Sequence, residues 1–193
     1  MQFHSATTAD CACVYRWRTD PRTTRHFFDQ REIAWETHCT WFERVLQDPD
    51  DSILLAATEN EQVGVIRLTC FTEVECRCGQ VGLYMNPDLH GRGLGKQMLT
   101  HFTQDWCPRM APDVTRLFGK VALANIASQR CFLAAGYHAA AERVWGARDI
   151  REIARLLCAP TPPPPTAWLP PSGQTCDHCV YVCERTPTPT TNK

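Results

Sequence analysis

No stretch of eighteen apolar residues occurs in the chain, so no membrane-spanning helix and no membrane partner are expected. The opening MQFHSATTADCACVYRWR lacks the apolar core of a secretory leader, which points to a cytoplasmic protein. Charge of one sign is missing as well. Twenty Lys and Arg stand against 21 Asp and Glu, a net charge of −1, so there is no basic footprint for a nucleic-acid backbone. Internal repeats are absent. Glycine is scarce, 10 of 193 residues, yet three of the ten fall within the five positions Gly91 to Gly95.

Cysteine and proline are abundant, at 12 and 14 residues. A chain this long is no disulfide-stapled mini-domain, and reduced thiols are expected. Cys39, Cys70, Cys107, Cys131 and Cys158 lie among apolar neighbours, where a free cysteine acts as a small hydrophobe. Cys176-Asp-His-Cys179, followed by Cys183, has metal-like spacing. CDHCVYVCE also reads as a strand, on which Cys176 and Cys179 point to opposite faces, and no metal is expected. Five prolines within residues 160–165 forbid helix and suit an extended connector over about 159–173. A last strand over about 176–184 then closes a single domain of residues 1–185, and 186–193 form a disordered tail. Val180 and Val182 alternate with Tyr181, and burial of both sides suits an interior seat in a sheet.

Along the chain, residues 1–8 suit a strand and Thr8 to about Arg18 a helix, which TDPRTTRHFF interrupts. A second helix, Ala34 to about Leu46, ends at QDPDD. SILLAATENEQVGVIRLTCF reads as a hairpin and QVGLYMNP as a further strand. A helix from Gly95 to about Trp106, the strand VTRLFGKVAL, a helix from Ser128 to Ala135 and the strand YHAAAERVWG follow, with a short helix near 149–157. This order implies an α/β protein with a sheet of mixed direction.

The glycine loop follows a strand and opens a helix. Unpaired N–H groups and the positive end of the helix dipole make an anion site there, and glycine removes the Cβ that would block approach. The spacing fits neither GxGxxG nor a Walker loop, since Lys96 is followed by Gln97.

His90-Gly91-Arg92-Gly93-Leu94-Gly95 resembles the [QR]-x-x-G-x-[GA] signature of the GNAT superfamily of acetyl-CoA-dependent N-acetyltransferases. Asn125, Ser128, Phe132, Gly136 and Tyr137 match that family's N-x-x-[AS]-x-x-x-[YF]-x-x-x-G-[FY] segment. The two motifs, in family order, cover roughly residues 60–140. The resemblance implies a mixed, mostly antiparallel central sheet, splayed in the middle, flanked by helices and holding the pantetheine arm of acetyl-CoA in the gap. The first 50 residues resemble the subgroup acting on amino groups of nucleotide-linked sugars, as in the pseudaminic-acid pathway, and also Rim-type acetyltransferases of protein N-termini.

The resemblance gives the residues from Arg92 to Lys96 the pyrophosphate, with His90 in the first motif slot. It gives the backbone of Leu83, Tyr84 and Met85, with Asn125, Ser128 and Phe132, the rest of acetyl-CoA. Many relatives carry a glutamate where Gln80 stands here, and glutamine is no general base. Phe132 stands where relatives often place a tyrosine that reprotonates the thiolate. Glu73 and Glu75, near Gln80 in sequence, and Glu36 and His38 on the second helix are the candidate bases, with a water chain as the alternative and with Glu36, His38 and Trp41 lining the acceptor side. Glu36 lies about 200° from His38 around a helix, so both meet one cleft only where the helix begins. The expected reaction is acetyl transfer to a primary amine, with a small aminosugar favoured as substrate, by a monomer or homodimer. A protein α-amino group, or CoA binding without catalysis, are the alternatives.

Overall fold

The computed structural model describes residues 1–141, 150–159 and 178–185. Strand β1 (Gln2–Ser5) leads through a 3₁₀ turn into α1 (Cys11–Thr19). TDPRTT adds a short helix, α2 (Pro21–Thr24), which Asp20 caps by accepting from the Arg22 amide. Helix α3 (Trp35–Gln47) begins one residue past the expected start. Strands β2 (Asp51–Ala57), β3 (Gln62–Glu73) and β4 (Cys76–Met85) form an antiparallel meander. β4 starts four residues before the expected QVGLYM segment, because the tight turn at Val74 and Glu75, both at positive φ, brings Cys76 straight opposite Glu73.

The helix expected from Gly95 to about Trp106 starts at Leu94 and runs on to Met110. Helix α4 (Leu94–His101) runs into a π-helical turn (Phe102–Trp106), and α5 (Cys107–Met110) follows with Pro108 in its first turn. Then come β5 (Arg116–Ala122), α6 (Ile126–Ala134), β6 (His138–Ala141), α7 (Ile150–Cys158) and β7 (His178–Glu184). The proline-rich 160–171 segment, Cys176 and the 186–193 tail lie outside the described residues.

The seven strands form one open sheet in the order β1-β2-β3-β4-β5-β7-β6, antiparallel at every junction except β4–β5. Both faces are covered, which explains why the strands read as nearly continuous apolar runs. Alternation sends Leu54, Ile66, Leu68, Leu117 and Tyr181 to one face, under α4 and α6 with Met98, Leu99 and Phe132. The opposite face holds two separate cores. Val14 and Trp17 of α1 and Phe42 and Val45 of α3 pack on Ile53, Leu55 and Val65. Ile150, Ile153 and Ala154 of α7 pack on Phe71, Phe118, Val180 and Val182.

Among the cysteines of the described residues, Cys78, Cys107 and Cys179 are buried. Among the described residues no helix is long and apolar enough to cross a membrane, and no three His, Cys, Asp or Glu side chains group around a potential metal position.

Gly119 on β5 shows how closely α6 approaches the sheet. A Cβ there would lie 2.1 Å from the Phe132 ring. That ring is stacked on Tyr181 at 5.6 Å and meets Tyr137 edge-on at 4.9 Å, so it has nowhere to go. Gly119→Ala is expected to cost about 1–3 kcal/mol in urea unfolding, the range for overpacking a filled core. The loss should shrink in a Phe132→Leu background, because the clash partner is then smaller. An unchanged midpoint in Gly119→Ala would contradict this packing.

Candidate active site

Three features meet around β4. The first is a gap in the sheet. β4 pairs with β5 only at Cys78↔Arg116, Gly79↔Leu117 and Gln80↔Phe118. Beyond Gln80 the strands diverge, and the backbone of Val81 to Met85 keeps β3 as a neighbour but has no strand partner on the β5 side among the described residues. Leu83, Tyr84 and Met85 therefore lie on an open strand edge inside the sheet, which is the expected splay.

The second feature is the glycine loop where β4 ends. Asn86 accepts from the Asp88 amide in a 3₁₀ turn (Pro87–Leu89), and His90 leads into the loop. Gly91 and Gly93 have φ of +81° and +75°, a left-handed conformation that costs other residues about 1–2 kcal/mol. The first helical bond of α4 runs from the Gln97 amide to the Gly93 carbonyl, so the amides of Leu94, Gly95 and Lys96 have no acceptor within the helix. Nothing lies within 4 Å of the Cβ positions of Gly91 and Gly93. Open space, orphan donors and the helix dipole together fit a phosphate group. Gly95 serves packing instead, with its Cβ position 3.3 Å from Met85 Sδ and 3.6 Å from Cys131 Sγ. Arg92 and Lys96 are exposed at the rim, Arg92 forming a 3.5 Å ion pair with Glu61.

Across the gap, Asn125 caps α6 by accepting from the Ser128 amide at 3.1 Å. Its Nδ2 is uncommitted among the described residues. Phe132, two turns on, is buried against Gly119 and has no polar atom to offer.

The third feature is a cavity of about 940 Å³ between the two cores on the α3 face. Its floor explains why those cores are separate. On β3 the residues facing that side are Val65, Arg67, Thr69 and Phe71, and opposite them stand Tyr84, Gly82, Gln80 and Cys78. The outer pairs are apolar and join the cores, whereas Arg67, Thr69, Gln80 and Gly82 line the cavity. Thr37, Thr40, Trp41 and Arg44 of α3 form its wall at i, i+3, i+4 and i+7.

Glu36, His38 and Trp41 all reach this cavity. Glu36 does so because it sits in the first turn of α3. His38 belongs to the buried stripe with Phe42 and Val45, and only 2% of its surface is exposed. Rings of Tyr15, Trp35, Trp41 and Phe42 surround it at 5.1–6.2 Å, and Nε2 meets neither solvent nor a hydrogen-bond partner. Burial, the largest influence, pulls its pKa below the ordinary histidine value.

Glu75 is not brought to the cavity. It occupies the exposed β3–β4 turn, five residues before Gln80, about 16 Å along a strand. Its neighbour Glu73 is held by Arg155 at 3.2 Å.

The sequence reading missed Arg18, Arg44, Arg67, Thr69 and Gly82. A signal existed for two of them: Arg67 and Thr69 break the apolar alternation of VGVIRLTCF at inward-facing positions. Arg67 forms a two-point ion pair with Asp51, whose side chain is only 6% exposed, and Thr69 Oγ1 donates to the same carboxylate at 3.1 Å. Among the described residues Arg18 has no carboxylate within ion-pair distance, although the charge of Asp29 acts on it from farther off. It lies 3.6 Å above the Phe27 ring and donates Nη2 to the Asp29 carbonyl at 3.0 Å, while Nη1 is buried and unbonded.

The packing of His38 has a measurable consequence. With its folded pKa lowered, the unfolded chain binds a proton that the folded chain refuses. This contribution is complete above an unfolded value of about 6.5 and is lost as pH falls through the lower folded value. The drop in Tm between about pH 7.5 and about pH 5.5 should therefore be smaller in His38→Leu than in the wild type. Equal drops would show that His38 is solvated in the folded protein.

Residues 2–138 match the family model described as an acetyltransferase (GNAT) domain. Acetyltransferase PseH of Campylobacter jejuni is 26% identical over 91 residues, 47% of this chain and 55% of that protein, so the likeness spans about half of that relative. Among solved structures, spermidine N-acetyltransferase from Vibrio cholerae, in complex with CoA and spermine, superposes with a TM-score of 0.70 at 10% identity over 96% of both chains. Aminoglycoside acetyltransferase AAC(6')-Ib with coenzyme A and kanamycin gives 0.67 at 13% identity, over 95% of this chain and 94% of that one. At such identities these two are likenesses of fold.

Proposed function

The chain belongs to the GNAT acetyltransferase family, and on that premise we propose that it moves the acetyl group of acetyl-CoA to a primary amine held in the α3-side cavity. The observation that carries this reading is the open edge of Val81–Met85, which has the anion-binding glycine loop at its end and the cavity beside it. Bound acetyl-CoA supplies the activated acetyl group. The amides of Leu94, Gly95 and Lys96 hold its pyrophosphate, with Arg92 and Lys96 adding charge at the rim. The free edge from Leu83 to Met85 pairs with the amides of the pantetheine arm, and Asn125 Nδ2 donates from the opposite side.

The acceptor enters over Gln80, Gly82 and Thr69 and must attack as a neutral amine. Gln80 cannot take its proton. The arginines and apolar walls of the cavity disfavour an ammonium there and so favour the free base. Glu36, at the rim, is the carboxylate among the cavity residues that can receive the proton. His38 acts as wall. Phe132 donates nothing to the departing thiolate, which is stable enough to leave and take its proton from water.

The sequence resemblance to aminosugar acetyltransferases, together with the PseH likeness, favours a small aminosugar over a protein N-terminus. The spermine carried by the Vibrio neighbour is a polycation, and a cavity with three arginines and one glutamate is a poor match for it. Gln80 and Phe132 also suit a CoA-binding protein without catalysis. A panel of primary amines assayed for CoA release separates the two, turnover favouring the enzyme and CoA binding without turnover the binder.

Gly93→Val tests the coenzyme site. It forces a β-branched residue into the left-handed region and places its methyls in the open space above the loop. Calorimetry should show acetyl-CoA affinity reduced at least roughly tenfold while a cooperative melt persists. Unchanged affinity in the folded variant would reject the assignment.

A further inference from the structure

We infer that Lys120 of β5 is an internal acetyl acceptor, so that the protein acetylates itself at this residue when no amine fills the cavity. This inference rests on the acetyltransferase reading and adds a modification site to it. Lysine is rare: Lys96, Lys120 and Lys193 are all that the chain contains. Lys96 is exposed at the glycine loop, and Lys193 lies outside the described residues. Lys120 sits half-buried on β5, a strand with a neighbour on each side. Leu117 and Val121 pack under α4 and α6, so alternation gives Lys120 the opposite face, with Phe118. Its cross-strand partner Val180 shares that face, which is also the face of the cavity.

Its place along the strand matters more. Gln80↔Phe118 is the last pair before β4 and β5 diverge. Gly82 and Lys120 are the next residues on this face of each strand, and they stand as counterparts across the gap. Gly82 lines the cavity, and nothing lies within 4 Å of its Cβ position. In the proposed reaction the acetyl group belongs in that space, since the acceptor reaches it over Gln80 and Gly82. Paired strands lie about 4.8 Å apart, and the flexible four-carbon stem of a lysine reaches beyond that spacing.

The ammonium of Lys120 rests 4.7 Å from the centroid of the Phe28 ring. Phe28 also meets His178 of β7 edge-on at 5.8 Å, while Phe27 lines the cavity and packs on Tyr84 of β4 at 5.8 Å. The two phenylalanines thus bridge the gap, with Lys120 Nζ beside the bridge. Among the described residues no carboxylate lies within ion-pair distance of Lys120. The Phe28 contact holds only the charged form, so loss of the proton frees the amine to turn into the gap.

The step balances. The ammonium gives one proton to water, and Nζ then attacks the thioester carbonyl carbon. The C–N bond forms, the C–S bond breaks, and CoA leaves as a thiolate that takes up the second proton shed by the nitrogen. The products are Nζ-acetyl-lysine and CoA, with one proton released. The acetamide then fills the space beside Gly82, and the charge under Phe28 is gone. A shortage of acceptor is thereby converted into a brake on the site.

The full chain is incubated with acetyl-CoA and no added amine, and acetylation of each lysine is followed by peptide mass spectrometry. Lys120 should be modified at least roughly tenfold faster than Lys96 or Lys193, although Lys96 is more exposed than Lys120. At saturating acetyl-CoA the rate constant should not change when the protein is diluted about tenfold, as an intramolecular step requires. Acetyl phosphate has no pantetheine arm and should show no preference for Lys120. Below saturation, Gly93→Val should slow modification of Lys120 roughly tenfold or more and leave Lys193 unaffected. Equal rates at the three lysines, or a rate constant that scales with protein concentration, would overturn the inference. So would the same preference with acetyl phosphate, or an undiminished rate in folded Gly93→Val. Turnover of an added amine with Lys120 left unmodified sinks the inference alone. Failure of acetyl-CoA to bind in calorimetry sinks the acetyltransferase reading and this inference with it.

Discussion

A ten-residue strand in the middle of a sheet should have both edges satisfied, and β4 does so only as far as Gln80. The cause is directional. β4 and β5 are the one parallel pair, joined by a crossover that contains the glycine loop and α4, and their three paired residues lie toward the start of each strand, at the end remote from the glycine loop. α4 and α6 hold the two halves apart by packing on a shared core, in which Met98, Leu99 and Phe132 fill what would otherwise be a void. Those of the five residues after Gln80 whose N–H and C=O groups turn away from β3 therefore present them inside the protein rather than at its border. A backbone edge kept open in this way must be met by water or by a ligand with amides of its own.

The same divergence organises the opposite face. α1 and α3 cover the β1–β4 half, α7 covers the region around β5 and β7, and neither core extends over the seam. The cavity occupies that seam, and the residues at its floor are the ones that interrupt the inward apolar rows of β3 and β4. Cavity and core are thus complementary: where one stops, the other begins.

The sheet class, the glycine loop and the entry of α3 into the cleft were legible from sequence because each has a local signature. Alternation marks the strands, closely spaced glycines mark the loop at the head of α4, and a three-to-four spacing marks α3. His38 was legible as a cleft residue, but its full enclosure depends on Tyr15 from α1, twenty-three residues away in the chain. Glu75 looked close to Gln80 in sequence, and only strand geometry, about 3.3 Å per residue, sets the two far apart. Arg18 and Arg44 carry no local mark at all. Each reads as a surface cation on its own helix, and only the meeting of α1, α3 and the β3–β4 floor makes them neighbours of one space.

The placement of β7 has a consequence for how the protein is made. β6 is synthesised well before β7, yet β7 takes the seat between β5 and β6. Until residues 178–184 leave the ribosome, β5 has no antiparallel neighbour and β6 nothing to pair with. Phe118 and Tyr137 await Val182 and Tyr181 to complete their surroundings. The β1–β4 meander, built from short-range hairpins, can assemble early, while the other wall of the splay waits for a late, long-range insertion. The nascent chain thus has half a cleft for most of its synthesis, and β7 decides when the second half exists.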